Sequence, residues 1–291
     1  RRIPAARRLW KLALFYFQFT AISFLASFLL EVGKQYDHMV NDHPGYNPEN
    51  IDYVYIGAVD STGRAKLIEE TQRLPEVDAI TTCYNLPFWG ASGNNVYLPG
   101  DDRELFNIAD LYDVGNDYLN VLEIPIVEGQ YFTENTTSSQ EILVSRNFIE
   151  YMKPFADWKD GAVGKTVQIT GHDTKSESMP LFTIRGVFED FRLGSIAGED
   201  PRAKIMFYTK GAAQHMVIRY HSLSSEALRK TQDLMGQLIP DKELNVISFK
   251  SEMLEGYTSS RKFRDSVMIG GIVTLLIVFI GLIGYTNDEV N

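Results

Sequence analysis

The sequence is poor in the residues and motifs on which most enzymes depend. It has one cysteine, Cys83, and five histidines, no two of which stand four residues apart. It contains no HExxH, no GxSxG, no nucleotide-binding P-loop and no pair of CxxC motifs. One cysteine cannot form an internal disulfide, and we expect Cys83 to be a small buried residue of a strand rather than a nucleophile. We therefore predict no catalytic residue, no metal site and no bound cofactor.

Positive charge is scarce outside the N-terminus. The chain has 28 Lys and Arg against 38 Asp and Glu, a net charge of −10. Five of these cations fall in residues 1–11, which hold no acid. The remainder is strongly acidic, whereas a nucleic-acid-binding surface needs basic patches. We predict that the chain does not bind nucleic acid.

Two long apolar runs stand near the ends of the chain. Val267–Tyr285 contains no charged residue, and Leu12–Leu30 is interrupted only by uncharged polar residues. At about 1.5 Å per residue, each run can cross the roughly 30 Å hydrocarbon layer of a bilayer. A basic flank before an apolar run is also typical of a signal peptide, but this run is long and no small-residue cleavage site precedes Glu31. We predict two transmembrane helices, residues 12–30 and 267–285.

The charge around the two runs predicts their orientation. Lys and Arg next to a span mark the cytoplasmic side, so residues 1–11 and the segment that starts at residues 286–291 are expected in the cytoplasm. The acidic middle of the chain then lies outside. Three cations oppose this prediction, because they precede the second run on the external side: Arg261, Lys262 and Arg264. Long loops translocate largely regardless of charge, and these side chains can contact headgroups, so membrane lipid is an expected partner.

Helical patterns extend from both runs into the external segment. Glu31–Val40 has one apolar face and is followed by Pro44, and residues 251–266 meet no Gly-Pro breaker before the second run. We expect stalk helices over residues 31–43 and 251–266, the second continuous with its span. A flexible linker is the alternative for the first. The apolar residues that mark these two stalks are Val32, Tyr36, Met39, Leu254, Tyr257 and Phe263.

The second apolar run is rich in glycine. A glycine lets another helix approach closely, although glycine is common in membrane helices in any case. We expect these residues to pack against a partner helix, with residues 12–30 as one candidate. They are Gly270, Gly271, Gly281 and Gly284.

A strand–helix–strand pattern occurs twice in the external segment. The first has strands at 51–59 and 77–84 around a helix at 64–74, and the second has strands at 215–221 and 244–249 around a helix at 226–239. Two such split units can pair into one four-stranded, ferredoxin-like sheet with helices on one face. The fold class predicted is therefore an α+β ectodomain between two transmembrane helices. Residues 44–85 and 212–250 form the two halves of its first lobe.

The long middle of the chain, residues 86–211, is then an insertion that forms a second, mixed and β-rich lobe. It is richer in Gly, Pro, Asn and Asp, which predicts short strands. The candidate strands are Val96–Leu98, Ile142–Val144, Thr166–Ile169, Phe182–Phe188 and Lys204–Tyr208.

Several stretches resemble one family. QFTAISFLASFLLEVGKQYDHM (18–39), DYLNVLEIPIVEGQYF (117–132), EILVSRNFIEYM (141–152) and FTIRGVFEDFRLGSI (182–196) occur in the order found in ABC-transporter permeases of the MacB/FtsX-like type, and the Bacteroidetes forms are the most similar. GLIGYTNDEV (281–290) resembles the cytoplasmic exit of the second span. In that family the ectodomain has a porter-like lobe built from both ends of the loop and an inserted, sabre-like lobe.

The resemblance implies a function and a set of partners. It implies a non-catalytic permease of the cell inner membrane with its large central domain in the periplasm. ATP would be hydrolysed by a separate cytoplasmic ABC ATPase. The stalks would carry movement to the ectodomain for export or mechanotransmission, and the coupling residues on them would be Val32, Tyr36, Met39, Leu254, Tyr257 and Phe263. A homodimer or a paired permease half is expected, and a periplasmic or outer-membrane partner is possible in this family. Such permeases have two further spans, so the chain is expected to be a fragment.

Another interpretation fits the same topology. A membrane receptor with an external sensor domain between two spans would have the same pattern of apolar runs, but it should contain a ligand pocket with convergent polar groups. A membrane-anchored hydrolase fits poorly, because no nucleophile or metal cluster can be named.

Overall fold

The computed structural model describes residues 5–132, 140–170, 179–208 and 214–290. Most of the polar loop that the sequence predicts at 170–179 and a glycosylation-type sequence at 135–137 lie outside the described residues. The chain forms two compact units. The helical unit comprises Arg1–Asp42 and Tyr257–Asn291, and the central unit comprises His43–Gly256.

The described residues form seven α-helices and eleven strands. The helices are α1 (Ala5–Asn41), α2 (Ser61–Gln72), α3 (Tyr118–Val121), α4 (Arg146–Met152), α5 (Ser225–Leu238), α6 (Phe249–Glu255) and α7 (Thr258–Val290). The strands are β1 (Ile51–Tyr55), β2 (Val77–Cys83), β3 (Ser92–Tyr97), β4 (Phe106–Val114), β5 (Ile126–Gly129), β6 (Glu141–Ser145), β7 (Thr166–Ile169), β8 (Leu181–Phe188), β9 (Ala203–Tyr208), β10 (His215–Tyr220) and β11 (Ile247–Ser248).

The helical unit consists of the two long helices α1 and α7. Both contain a stretch that is long and apolar enough to cross a membrane, Ala13–Asn41 and Thr258–Gly284, and only 6% of the most apolar window of each is buried. A core helix of a soluble domain would be mostly buried, whereas aromatic and aliphatic side chains such as Phe24 (73% exposed) and Ile280 (69%) point outward here. An apolar helix without protein cover needs a bilayer around it. The expected α+β domain between two apolar helices is confirmed.

The first lobe of the central unit is a four-stranded sheet in the order β11-β1-β10-β2, in which each neighbouring pair is antiparallel. Because β10 lies between β1 and β2, each strand–helix–strand unit is split, as expected. One face packs on α2 and α5 through Val54, Leu67, Ile218 and Met235. The other face is also covered, since Tyr53 and Val217 share a core with residues of the insertion.

The last strand of this sheet is much shorter than predicted. The sequence indicates a strand over 244–249, but β11 spans only Ile247–Ser248. The Gln232 side chain accounts for the difference, because its amide donates to the Leu244 carbonyl and its oxygen accepts from the Val246 N–H at 2.9 Å. A helix side chain therefore takes the place of a neighbouring strand. Phe249 already belongs to α6.

The insertion forms a seven-stranded sheet in the order β5-β8-β6-β9-β4-β3-β7. An additional pairing of β7 with β8 closes six of these strands into a ring around a core that includes Phe148, Phe182 and Ile205. Closure of a sheet removes its exposed edges. Glycine is required where β5 meets β8: Gly129 has φ +74°, and a Cβ there would lie 2.3 Å from the Arg185 carbonyl oxygen.

The second stalk is not one continuous helix, which corrects the prediction for residues 251–266. The helix α6 ends at Glu255 and α7 begins at Thr258, with a turn at Gly256–Tyr257. The backbone N–H of Gly256 bonds to the Leu254 carbonyl rather than continuing the helical ladder. Glycine costs about 1 kcal/mol relative to alanine within a helix, which favours the break at this residue. In contrast, α1 runs without interruption from Ala5 to Asn41.

Candidate functional site: the Arg219 junction

The segment Pro44–Asn50 leads from α1 into the central unit, and α6 leads out of that unit toward α7. We call Pro44–Asn50, α6 and the groups that hold them around Arg219 the Arg219 junction. Within it, Lys250 forms an ion pair with Glu49. The buried Tyr46 ring lies 6.0 Å, centroid to centroid, from the Phe249 ring in an edge-to-face arrangement. The two chain segments that connect the central unit to the helical unit are therefore joined directly to each other.

The Arg219 guanidinium lies at the centre of the junction. It projects from β10, is 6% exposed, and donates to the carbonyl groups of Val121 (2.6 Å), Asn47 (3.1 Å) and Glu49 (3.2 Å). It also pairs with the Glu123 carboxylate at 3.0 Å. Burial lowers the pKa of Arg219, and the charge of Glu123 opposes this shift. The planar fork of an arginine suits such a set of acceptors, because its donors point in fixed directions.

The helix α3 contributes to the junction from the insertion. Its end binds the incoming segment, since the Asn47 N–H donates to the Leu122 carbonyl at 2.9 Å and the Asn47 amide donates to Glu123 at 2.9 Å. Two non-glycine residues around α3 have left-handed backbones, Asp117 (φ 60°) and Glu123 (φ 56°). Such backbones persist only where the surroundings enforce them. The contacts with Asn47 and Arg219 supply that constraint at Glu123.

The motif at 182–196 also reaches the junction. The Arg192 N–H donates to the Pro44 carbonyl at 2.6 Å, and the Tyr46 ring contacts the Phe191 ring at 6.0 Å. Gly45 has φ +88°, and a Cβ at this position would lie 2.6 Å from the Phe191 Cα. Only glycine fits this crossing, because both the backbone angle and the distance exclude a side chain.

The acidic pair Glu189–Asp190 of the same motif is structural. Asp190 accepts from the Asn147 N–H at 2.7 Å and so caps the first turn of α4. The ammonium of the buried Lys204 lies 3.5 Å from Asp190, and Glu189 pairs with Arg146 at 2.8 Å. Each carboxylate is held by a cation or a backbone donor, and this arrangement fixes the motif on β6, α4 and β9.

Several titratable groups of the central unit are buried, and burial shifts their pKa values. Burial raises the pKa of the Tyr118 and Tyr131 hydroxyls well above the ordinary value, and the Tyr131 hydroxyl donates to the Gly115 carbonyl at 2.8 Å. As predicted, Cys83 is buried at the end of β2, where burial raises the pKa of its thiol. The ring nitrogen Nδ1 of His215 lies 2.8 Å from the Tyr84 carbonyl oxygen, and burial lowers the pKa of His215. A search of the described residues for three or more clustered His, Cys, Asp or Glu finds no candidate metal site.

Comparison with known proteins identifies the family. The model of the MacB-like periplasmic core domain matches residues 20–240. The chain belongs to this family. The predicted resemblance to MacB/FtsX-like permeases is therefore confirmed, and the central unit is the extracytoplasmic domain of an ABC-type transporter permease.

Three solved structures match parts of this chain. The periplasmic region of MacB from Actinobacillus actinomycetemcomitans matches with a TM-score of 0.49 and 12% identity, over 76% of this chain and 98% of that one. The extracellular domain of the noncanonic ABC-type transporter YknZ from Gram-positive bacteria matches with a TM-score of 0.44 and 11% identity, over 68% and 100%. A domain of a protein from Porphyromonas gingivalis matches with a TM-score of 0.43 and 17% identity, over 71% and 91%. A search of curated proteins finds no match.

The residues predicted to couple movement through the stalks fall in different places. Four of them line one pocket between α1 and α7: Val32, Tyr36, Met39 and Phe263. Tyr257 is buried and directly precedes α7. Leu254, however, lies on α6 in the central unit. The structure thus divides the predicted set at the helix break, and the coupling role of all six residues stays a prediction.

One of the four glycines predicted to pack contacts the partner helix. A Cβ on Gly271 would lie 2.4 Å from Leu29 of α1, so this glycine allows the close approach of the two helices. For Gly270, Gly281 and Gly284, no described atom outside the neighbouring backbone of α7 lies within 4 Å of such a Cβ. Their packing role also stays a prediction.

Arg219 and its acceptors are not among the residues that the sequence analysis singles out. A signal was present, because Arg219 is the only charged residue in the apolar strand HMVIRYH, and a cation in the middle of a buried strand needs partners. The sequence around Arg219 does not indicate which residues are its partners, since Asn47 and Val121 are distant from Arg219 in sequence. In this MacB-like domain the junction forms only when the folded chain brings these distant segments together.

Proposed function

We propose that the chain is part of a non-catalytic permease subunit that couples ATP hydrolysis by a separate cytoplasmic ABC ATPase to movement of the central unit outside the membrane. In this proposal the subunit lies in the cell inner membrane, with the central unit in the periplasm. It works as a homodimer or with a paired permease half, and a periplasmic or outer-membrane partner receives the movement. Movement of the central unit in this way could drive either export of a substrate or mechanotransmission to a partner.

The observation that carries the proposal is the Arg219 junction. Both connections from the membrane helices enter it, and an arginine, an ion pair and an aromatic contact hold them to β10, α3 and each other. A displacement of α1 or α7 therefore acts on a rigid part of the central unit rather than on a loose loop. The membrane helices themselves resist bending because their backbone hydrogen bonds are continuous, whereas a flexible segment would absorb the displacement.

The connections between the units are short. The unit boundaries fall between Asp42 and His43 and between Gly256 and Tyr257, and helices end or begin within two residues of each boundary. Short joints transmit a pull, although they do not transmit bending. The break at Gly256–Tyr257 is therefore compatible with coupling by displacement, and it replaces the single continuous lever that the sequence predicts.

The experiment that tests the proposal uses the full permease with its co-purified ATPase in lipid nanodiscs. Hydrogen–deuterium exchange is measured without nucleotide and after trapping with ATP and vanadate. We expect amide exchange in 44–50 and 249–256 to change on trapping, because the junction receives the displacement, while exchange in the ring core around Ile205 stays constant. Unchanged exchange in both junction segments, or failure of any ATPase to associate, would contradict the proposal.

A further inference from the structure

The helical unit contains a pocket between α1 and α7. It lies just outside the apolar runs, where the chain continues into the central unit. It has a volume of about 390 Å³ and is open to the surroundings. The residues Val32, Gln35, Tyr36 and Met39 of α1 and Ser259, Ser260, Phe263 and Arg264 of α7 line it. All eight belong to the same compact unit.

The lining is divided chemically in a way that suits a lipid. Val32, Met39 and Phe263 provide an apolar surface, and Phe263 is 63% exposed. Gln35, Ser259, Ser260 and Arg264 provide hydrogen-bond donors. No carboxylate lines this pocket, although the chain as a whole is acidic.

Neighbouring side chains fix the orientation of the Arg264 guanidinium and use only some of its hydrogen-bond donors. It lies 4.0 Å from the centroid of the Tyr36 ring, over its face. Its Nε and Nη2 donate to the Asp265 carboxylate at 2.9 and 2.6 Å. The stacking and the ion pair fix the plane of the guanidinium and leave Nη1 available to an anion. Asp37 is the other carboxylate that acts on this cation, and the exposed Arg261 adds positive charge one turn away.

Arg264 lies at the depth of the headgroup layer of a bilayer. Arg264 stands three residues before the apolar run that begins at Val267, a rise of about 4.5 Å, and the headgroup layer is roughly 5–7 Å thick on each side. The Gly271–Leu29 contact lies about 10 Å deeper, two turns along both helices. Tyr and Arg are typical of this interface, where the ring and the aliphatic stem remain apolar while the charge stays hydrated.

We propose that this pocket binds one anionic phospholipid of the surrounding bilayer. The phosphate accepts from Arg264 Nη1 and from the hydroxyl groups of Ser259 and Ser260, and Arg261 adds long-range attraction. The upper part of one acyl chain packs on Val32 and Phe263, at the end of the pocket nearer the apolar runs. This site rests on the insertion of α1 and α7 in a membrane and not on ATP-driven coupling, so it stands if no ATPase associates.

The test measures which lipid stays with the protein. The full chain is reconstituted in nanodiscs with equal amounts of phosphatidylglycerol and phosphatidylcholine, and native mass spectrometry counts the lipids retained after mild release. We expect the first retained lipid to be phosphatidylglycerol in preference to phosphatidylcholine. Arg264→Gln should lower that preference about fivefold, since one cation near the surface contributes about that factor.

Matched variants separate binding from structural damage. Arg264→Lys keeps the charge and should retain most of the preference, whereas Phe263→Ser should reduce retention of both lipids. Arg103→Gln removes an exposed, ion-paired arginine of the central unit and should change nothing. Thermal unfolding of each variant checks that the fold is retained.

Three results would overturn the proposal. Equal preference in the wild type and Arg264→Gln would exclude a headgroup site at this arginine. Displacement of the lipid by soluble glycerol 3-phosphate at similar concentration would assign the pocket to a free phosphate. A lipid-free dimer that Phe263→Ser converts to monomers would assign it to a second copy of the chain.

Discussion

Replacement of Arg219 by methionine tests the junction most directly, because methionine keeps much of the side-chain length and removes the charge and all donors. Three carbonyl groups then lose their hydrogen-bond partner, those of Val121, Asn47 and Glu49. An unsatisfied buried acceptor costs about 1–3 kcal/mol. Val121 is fully buried, whereas Glu49 is exposed and water can replace its partner. We therefore expect a loss of about 2–4 kcal/mol in the free energy of unfolding.

The assay is urea unfolding of the full chain in detergent, followed by tryptophan fluorescence, and Trp89 and Trp158 of the central unit are two of the chain's three tryptophans. Arg229→Met is the matched control, because Arg229 has a side chain 69% exposed and pairs with Asp233 at 3.5 Å on the surface of α5. Its loss should change the free energy by less than about 0.5 kcal/mol. Equal losses in the two variants would refute the reasoning, since the buried position of Arg219 would then have no energetic consequence.

Two further predictions concern other positions in the central unit, Asp52 and Gly45. Asp52 is fully buried, and burial raises its pKa from 3.8 to about 6. The folded state therefore binds the proton of this carboxyl more tightly than the unfolded state does. As a result, the folded state loses stability as the pH rises from about 4 through 6. Asp52→Asn should gain up to about 3 kcal/mol relative to the wild type at pH 8 compared with pH 4, and an equal difference at the two pH values would contradict this cause. Gly45→Ala should destabilise the chain by more than the roughly 1–2 kcal/mol of a left-handed backbone, because its Cβ meets Phe191. Gly100 also has a left-handed backbone (φ +80°), but a Cβ there would meet no atom within 4 Å outside its neighbouring residues. Gly100→Ala should therefore show only the cost of the backbone angle. Similar unfolding midpoints for the two variants would exclude a clash of the Gly45→Ala side chain with Phe191.

The parts of the fold with a strong local pattern could be predicted from the sequence. The apolar runs of α1 and α7 and the two strand–helix–strand units have hydrophobic periodicities that depend on residues a few positions apart. The boundaries were less accurate, as in β1, which ends at Tyr55 and not at residue 59. Strand ends depend on the length of the neighbouring strand, and that length is not encoded locally.

The parts that depend on distant residues could not be predicted. The longest strand of the insertion, β4, was missed because its sequence FNIADLYDV mixes apolar and acidic residues, and Asp110 within it accepts from Asn94 of β3 at 2.7 Å. The closure of the ring by β7 and β8 and the replacement of a strand by Gln232 also arise from tertiary contacts. The Arg219 junction belongs to this class. Its charge stands out in the strand, but its four partners come from two segments that are distant from it in sequence.

The central claim is that displacement of the membrane helices reaches the central unit through short joints. Inserting four glycines between Gly256 and Tyr257, together with four between Asp42 and His43, adds about 13 Å of slack to each joint. The matched control carries the same insertion between Gly100 and Asp101, in an exposed turn away from the joints. The measurement is the change in amide exchange at 44–50 and 249–256 after trapping the ATPase with ATP and vanadate. The account predicts that this change is lost in the joint variant and kept in the control while ATP hydrolysis continues in both, and a change of wild-type size in the joint variant would contradict mechanical coupling.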